Sequence, residues 1–99
     1  MIIESSEKDF ENSIKDGVVI VDFYADWCGP CKMLGSILEE VIKENKDLKI
    51  VKINVDTNNE LASRFNVMSI PTLLLYKNNK FIDKKMGFLT KEMILNWIK

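Results

Sequence analysis

The chain has 99 residues, 46% hydrophobic and 29% charged, a balance that builds a folded domain and is too apolar for a disordered one. Lys and Arg number 14 against 15 Asp and Glu, so the net charge is −1 and no basic surface for nucleic acid is expected. Histidine is absent, which excludes Ser-His-Asp and Cys-His nucleophiles and every histidine metal ligand.

Ile2-Ile3 opens a short predicted strand. Ser6 and Asp9 have capping-box spacing and start a helix with Phe10 and Ile14 on one face, closed by Gly17 as its left-handed terminal residue. Val18 to Tyr24 is a β-branched and aromatic run, as in a strand covered on both faces. Trp27 to Cys31 is a turn into a helix, with Pro30 in the first turn, where proline is tolerated. Leu34, Ile37, Leu38, Val41 and Ile42 repeat along one face of that helix, and Asn45-Lys46-Asp47 ends it. Leu48 to Val55 alternates as a second strong strand.

Thr57 with Glu60 forms a capping box for a helix that turns Leu61, Ala62 and Phe65 inward. Thr72 to Tyr76 is a third long strand. Asn78-Asn79 suits a two-residue hairpin with left-handed backbone, and Lys80 to Met86 returns beside it. Thr90 opens a last helix with Met93, Ile94, Trp97 and Ile98 on one face. The order is βαβαβ and then αββα. Parallel pairing through right-handed crossovers is expected in the first half, and an antiparallel hairpin in the second. No linker or repeat divides the chain, so residues 1–99 read as a single domain. A chain of this length buries about two thirds of its unfolded surface, enough for a core.

Cys28-x-x-Cys31 is the constellation with chemistry. Two intervening residues let the sulfurs meet when the second cysteine lies in the first helical turn. The first cysteine then sits at the helix N-terminus, where unpaired N–H groups and the positive end of the helix dipole stabilise a thiolate. Cys28 is therefore the expected nucleophile. Cys31, one step inside the helix, is the expected resolving thiol and the more buried of the two. Gly29 permits the tight turn and Pro30 fixes φ at the helix start. The competing readings are half of a zinc site, which needs two further ligands from Asp or Glu, and a packed pair of core cysteines. The position between a buried strand and an amphipathic helix favours redox chemistry.

Asp22 stands inside the apolar run, where a charge is costly unless paired or neutral. It is either an edge or bulge residue reaching solvent, or a buried carboxyl that trades protons with the thiols. Lys52 reads as a solvated strand lysine, which faces Asp22 if the two strands are neighbours. Trp27 is either a core aromatic or a half-exposed contact surface. For Ile70-Pro71, the sequence alone favours a trans bond.

From Asp22 to Lys32 (DFYADWCGPCK) the sequence resembles the thioredoxin family. The resemblance continues through Lys52 to Asp56 (KINVD), Ile70 to Asn78 (IPTLLLYKN) and Gly87, over essentially the whole length. It implies a three-layer α/β fold, a mixed central sheet with helices on both faces. The Asp22 and Lys52 strands are then neighbours, Pro71 is cis and faces the cysteines, and Asp22 serves the proton transfers beside Lys52. Trp27, Ile70, Pro71 and Gly87 map to an apolar surface that docks substrate proteins.

The implied activity is protein-disulfide reduction by dithiol–disulfide exchange. The Gly-Pro dipeptide between the cysteines places the chain with the reductants of the family. The resemblance also implies no bound cofactor or metal. Electrons arrive from NADPH or ferredoxin through a separate thioredoxin reductase, and the other partners are disulfide-containing client proteins. A cytoplasmic monomer is expected. The N-terminus lacks a basic and apolar leader pattern, and no apolar run approaches the roughly 20 residues of a bilayer span. A dedicated partner of one reductase system and a binding module with incidental thiols are the alternatives. The chain departs from many relatives at Tyr24, where they carry tryptophan. It also departs at Ser36, preceded by Gly35, where they carry proline, and at Ser69 and Asn79, where they often carry glycine.

Overall fold

The β-branched run forms β2 (Val18–Tyr24), third of five strands in the order β1-β3-β2-β4-β5. The computed structural model describes residues 1–99. The flanking strands are β1 (Ile2–Glu4), β3 (Lys49–Asn54), β4 (Thr72–Lys77) and β5 (Lys80–Met86). β3 runs parallel to both β1 and β2, whereas β4 is antiparallel to β2 and to β5. A central strand with apolar layers on both sides needs no polar face, which is why β2 reads as a continuous hydrophobic run.

Alternate strand residues feed two cores. Val19, Val21 and Phe23 pack with Phe10 and Ile14, and with Leu61 and Ala62. These come from the segment of α1 (Phe10–Ser13) and from α3 (Asn59–Arg64). On the opposite face Ile20, Ile50, Leu73 and Leu75 meet Leu34, Leu38 and Val41 of α2 (Gly29–Glu44) and Ile94 of α4 (Lys91–Trp97). Each such fully buried Leu, Ile or Phe contributes about 1.5–3 kcal/mol of transfer free energy.

Several local expectations are corrected. Helix α1 ends at Ser13, and its N-cap Asp9 makes no side-chain cap. Gly17 does have a positive φ of 73°, but it lies beyond that helix and accepts a hydrogen bond from the Asn78 N–H at 2.9 Å. It shapes the entry to β2 and does not cap α1. The Thr57 and Glu60 box is also absent. The carboxylate of Glu7 caps α3 instead, accepting from the N–H groups of Glu60 and Leu61 at 3.1 and 3.4 Å. Met93 of α4 faces solvent, so its inward face is Ile94 with Leu95, Trp97 and Ile98.

Other expectations hold. Asn78 and Asn79 have φ of 50° and 69°, the left-handed pair of the hairpin. Thr90 Oγ1 accepts from the Met93 N–H at 3.2 Å and starts α4. No helix is long and apolar enough to cross a membrane.

Candidate active site

β2 delivers the chain to the upper edge of the sheet, and a short turn carries it into α2. Cys28 is the N-cap of that helix, in extended backbone, and its sulfur accepts from the Cys31 N–H at 3.2 Å. Pro30 lies in the first turn, where no N–H is missed. One helical turn brings the Cα atoms of Cys28 and Cys31 to 5.2 Å, and the two sulfurs are joined in a disulfide. No group of three or more Cys, Asp or Glu side chains gathers as a metal cage.

The two cysteines are almost equally covered, 5% and 4% exposed, so the expected difference in burial is slight. Their difference lies in what they face. Cys28 lines an outer groove with Trp27, Pro30, Val67, Met68 and Ile70. Cys31 lines a separate cavity of about 260 Å³ that it shares with Asp22, Tyr24 and Lys52. Cys28 thus borders the groove, and Cys31 the cavity that holds the carboxyl.

The outer groove is built by distant segments. Trp27 is 71% exposed, and its indole N–H donates to Asp56 Oδ2 at 2.9 Å, which pins the ring. Opposite it, α3 ends in a left-handed turn at Asn66, with the Asn66 and Val67 N–H groups returning to the carbonyls of Ser63 and Ala62. That turn aims the Val67–Ile70 loop at the cysteines. The Ile70-Pro71 bond is cis, against the sequence-only preference and as the family resemblance implied. The Ile70 carbonyl lies 4.0 Å from Cys28 Sγ.

Pro71 is buried behind the groove, and the Gly87 N–H donates to its carbonyl at 2.8 Å. Gly87 therefore braces the loop that ends at Pro71 and does not itself line the groove. Val67 and Met68, the latter 82% exposed, do line it and were missed from sequence, as a lone apolar pair in a loop carries no periodicity. Ser69 lines it as well.

Asp22 is 1% exposed on the central strand, which removes the edge-or-bulge reading. Neither carboxyl oxygen has a hydrogen-bond partner. Burial pushes its pKa up to about 7; the Lys52 ammonium opposes the rise and the Glu4 carboxylate adds to it. Lys52 stands directly beside Asp22 in the β2–β3 register.

A disulfide-forming Cys-x-x-Cys at a helix N-terminus, one cysteine on an apolar groove and the other sharing a cavity with a buried carboxyl, defines a dithiol–disulfide exchange domain. A family model described as Thioredoxin matches residues 1–99. Thioredoxin of Bacillus subtilis is 47% identical over 94 residues, covering 94% of this chain and 90% of that protein. Thioredoxin of Rickettsia typhi is 44% identical over 101 residues, covering 99% and 96%. A chain from a solved structure concerned with thiol resolution in yeast mitochondrial 1-Cys peroxiredoxin via glutathione/thioredoxin systems superposes with a TM-score of 0.89. It is 32% identical, with 98% of this chain and 92% of that one covered. The chain belongs to the thioredoxin family. Its activity is that of a protein-disulfide oxidoreductase working by dithiol–disulfide exchange.

Proposed function

We propose that the reduced chain donates two electrons to disulfides of client proteins, with Cys28 as the attacking thiolate. The thiolate is stabilised by the N-terminus of the 16-residue helix α2. It attacks one sulfur of the substrate disulfide, forms a mixed disulfide and expels the other sulfur as a thiolate. Asp22 then accepts the proton of Cys31, with the Lys52 ammonium on the neighbouring strand limiting the rise of its pKa without pairing to it. The Cys31 thiolate attacks Cys28 Sγ, closes the internal disulfide and releases the second substrate thiolate. A carboxyl that titrates near neutrality can both take and return that proton.

Trp27, Ile70 and the strand-end loop braced by Pro71 and Gly87 receive the substrate segment beside Cys28. The half-buried Ile70 side of the groove would offer main-chain pairing to an extended chain. The oxidised pair is re-reduced by a thioredoxin reductase drawing on NADPH or ferredoxin, no cofactor is held on this chain, and it works as a cytoplasmic monomer. The observation that carries the reading is the division of the two cysteines between groove and carboxyl cavity. An insulin-precipitation assay with dithiothreitol tests it. Strong catalysis that is lost in Cys28→Ser is the expected result, and a folded, reduced protein without catalysis would overturn it.

A further inference from the structure

Three charged residues lie in one row across the sheet. Glu4 of β1 is in register with Lys52 of β3, and Lys52 is in register with Asp22 of β2. Registered neighbours share a face, so the Lys52 backbone lies between those of Glu4 and Asp22, about 4.8 Å from each, and its side chain can reach either carboxyl. A buried, unpartnered carboxyl would ordinarily draw it inward. Yet Lys52 forms no ion pair, and Asp22 stays without a partner. The Lys52 Nζ lies instead 4.4 Å from the centroid of the Tyr24 ring. The Tyr24 hydroxyl in turn donates to Glu4 Oε2 at 2.7 Å. A phenol that donates to a carboxylate gains electron density in its ring and holds a cation more firmly.

We propose that Glu4 and Tyr24 are positioning residues for the exchange reaction: together they hold the Lys52 ammonium off the Asp22 carboxyl, which leaves that carboxyl free to trade protons with Cys31. The proposal rests on the exchange mechanism above and adds to it the edge strand β1, which carries neither cysteine. The remaining groups facing Asp22 do not substitute for this pair. β4 places the apolar Leu73 beside it, and Lys85 of β5, one strand further, is directed at the Trp97 ring 5.9 Å away. Cys31, Lys32 and Glu39 of α2 and Asp26 beyond β2 border the cavity, and Asp26, Lys32 and Glu39 are exposed to solvent.

Titration of Asp22 followed by carbon-13 NMR of the carboxyl in the reduced protein tests this without any substrate. Glu4→Gln keeps an acceptor for Tyr24 and removes the charge. Loss of that charge alone, two strand spacings away in a water-like dielectric, lowers the Asp22 midpoint by about 0.3 pH unit. If the pair restrains Lys52, the fall is at least roughly twice that, because the freed ammonium moves onto Asp22. In a Lys52→Met background the excess disappears and only the direct effect remains. Tyr24→Leu lowers the midpoint when Lys52 is present and leaves it unchanged in Lys52→Met. The pH profile of mixed-disulfide release moves to lower pH in Glu4→Gln by the same amount as the midpoint. Equal falls in both backgrounds, or no fall, overturn the proposal. A wild type that titrates as expected but fails to exchange disulfides would overturn the mechanism instead, so the two failures are distinguishable.

Discussion

Asp22 is the residue at which folding and the proposed chemistry oppose each other. Its carboxyl is held neutral by burial, and its pKa rises from the ordinary 3.8 to about 7. The folded protein therefore binds this proton more tightly than the unfolded chain does. Its contribution is fully favourable below the unfolded value and is lost as pH climbs toward about 7, the reverse of a salt-bridged carboxylate. The difference of 7 and 3.8 corresponds to a stability loss on the order of 4 kcal/mol across that window. Asp22→Asn is expected to be more stable than wild type at pH 8 and to lack most of this pH dependence, as read by urea unfolding at several pH values. A wild-type profile flat between pH 4 and 8 would contradict the assignment. Trp27 offers a second case. Its ring is exposed, so only the bond to Asp56 fixes it. Asp56→Ala is expected to raise KM for a protein disulfide roughly two- to fivefold at unchanged kcat, the scale of one hydrogen bond. A fall in kcat alone would remove Trp27 from docking.

At the scale of elements, the strands and long helices were legible because each carries its own periodicity. β2 and β5 match their sequence spans residue for residue, and α2 shows its apolar stripe. The helix start at residue 58 was not legible, because its partner lies far along the chain, and the start at residue 9 has no side-chain cap to read. The Glu7 carboxylate caps α3 across 53 residues, and Asn58 Oδ1 returns the favour by accepting the Glu7 N–H at 3.0 Å. This is a capping box split between two segments, which a reading of local spacing assigns to Thr57 and Glu60 instead. Glu7→Ala is expected to cost about 1 kcal/mol in urea unfolding, the value of a helix N-cap. Thr57→Ala is expected to cost less, since its hydroxyl caps no backbone N–H; it accepts from the Asn58 side-chain amide at 3.1 Å and donates to the Asn54 carbonyl at 3.5 Å. An equal or larger cost for Thr57→Ala would restore the local box. The site shows the same division. Cys28, Cys31 and Trp27 were readable from one short string. Asp22 was ambiguous until the sheet order put its strand in the centre, and the Glu4–Tyr24 contact depends on a strand pairing that no spacing reveals.

For the whole molecule, the Cys28–Cys31 pair lies between two openings, one bordered by each cysteine. In the proposed exchange, the groove beside Cys28 admits a chain and the cavity beside Cys31 handles a proton. The two thiols are therefore unequal although they are equally buried. The most direct measurement is mass spectrometry of adducts formed by reduced Cys28→Ser and Cys31→Ser variants with a disulfide-bonded substrate such as insulin. Cys31→Ser is expected to accumulate a mixed disulfide on Cys28 that persists, since nothing resolves it, whereas Cys28→Ser forms almost none. Equal adducts on both variants, or an adduct on Cys31 alone, would contradict the division of labour between the two cysteines.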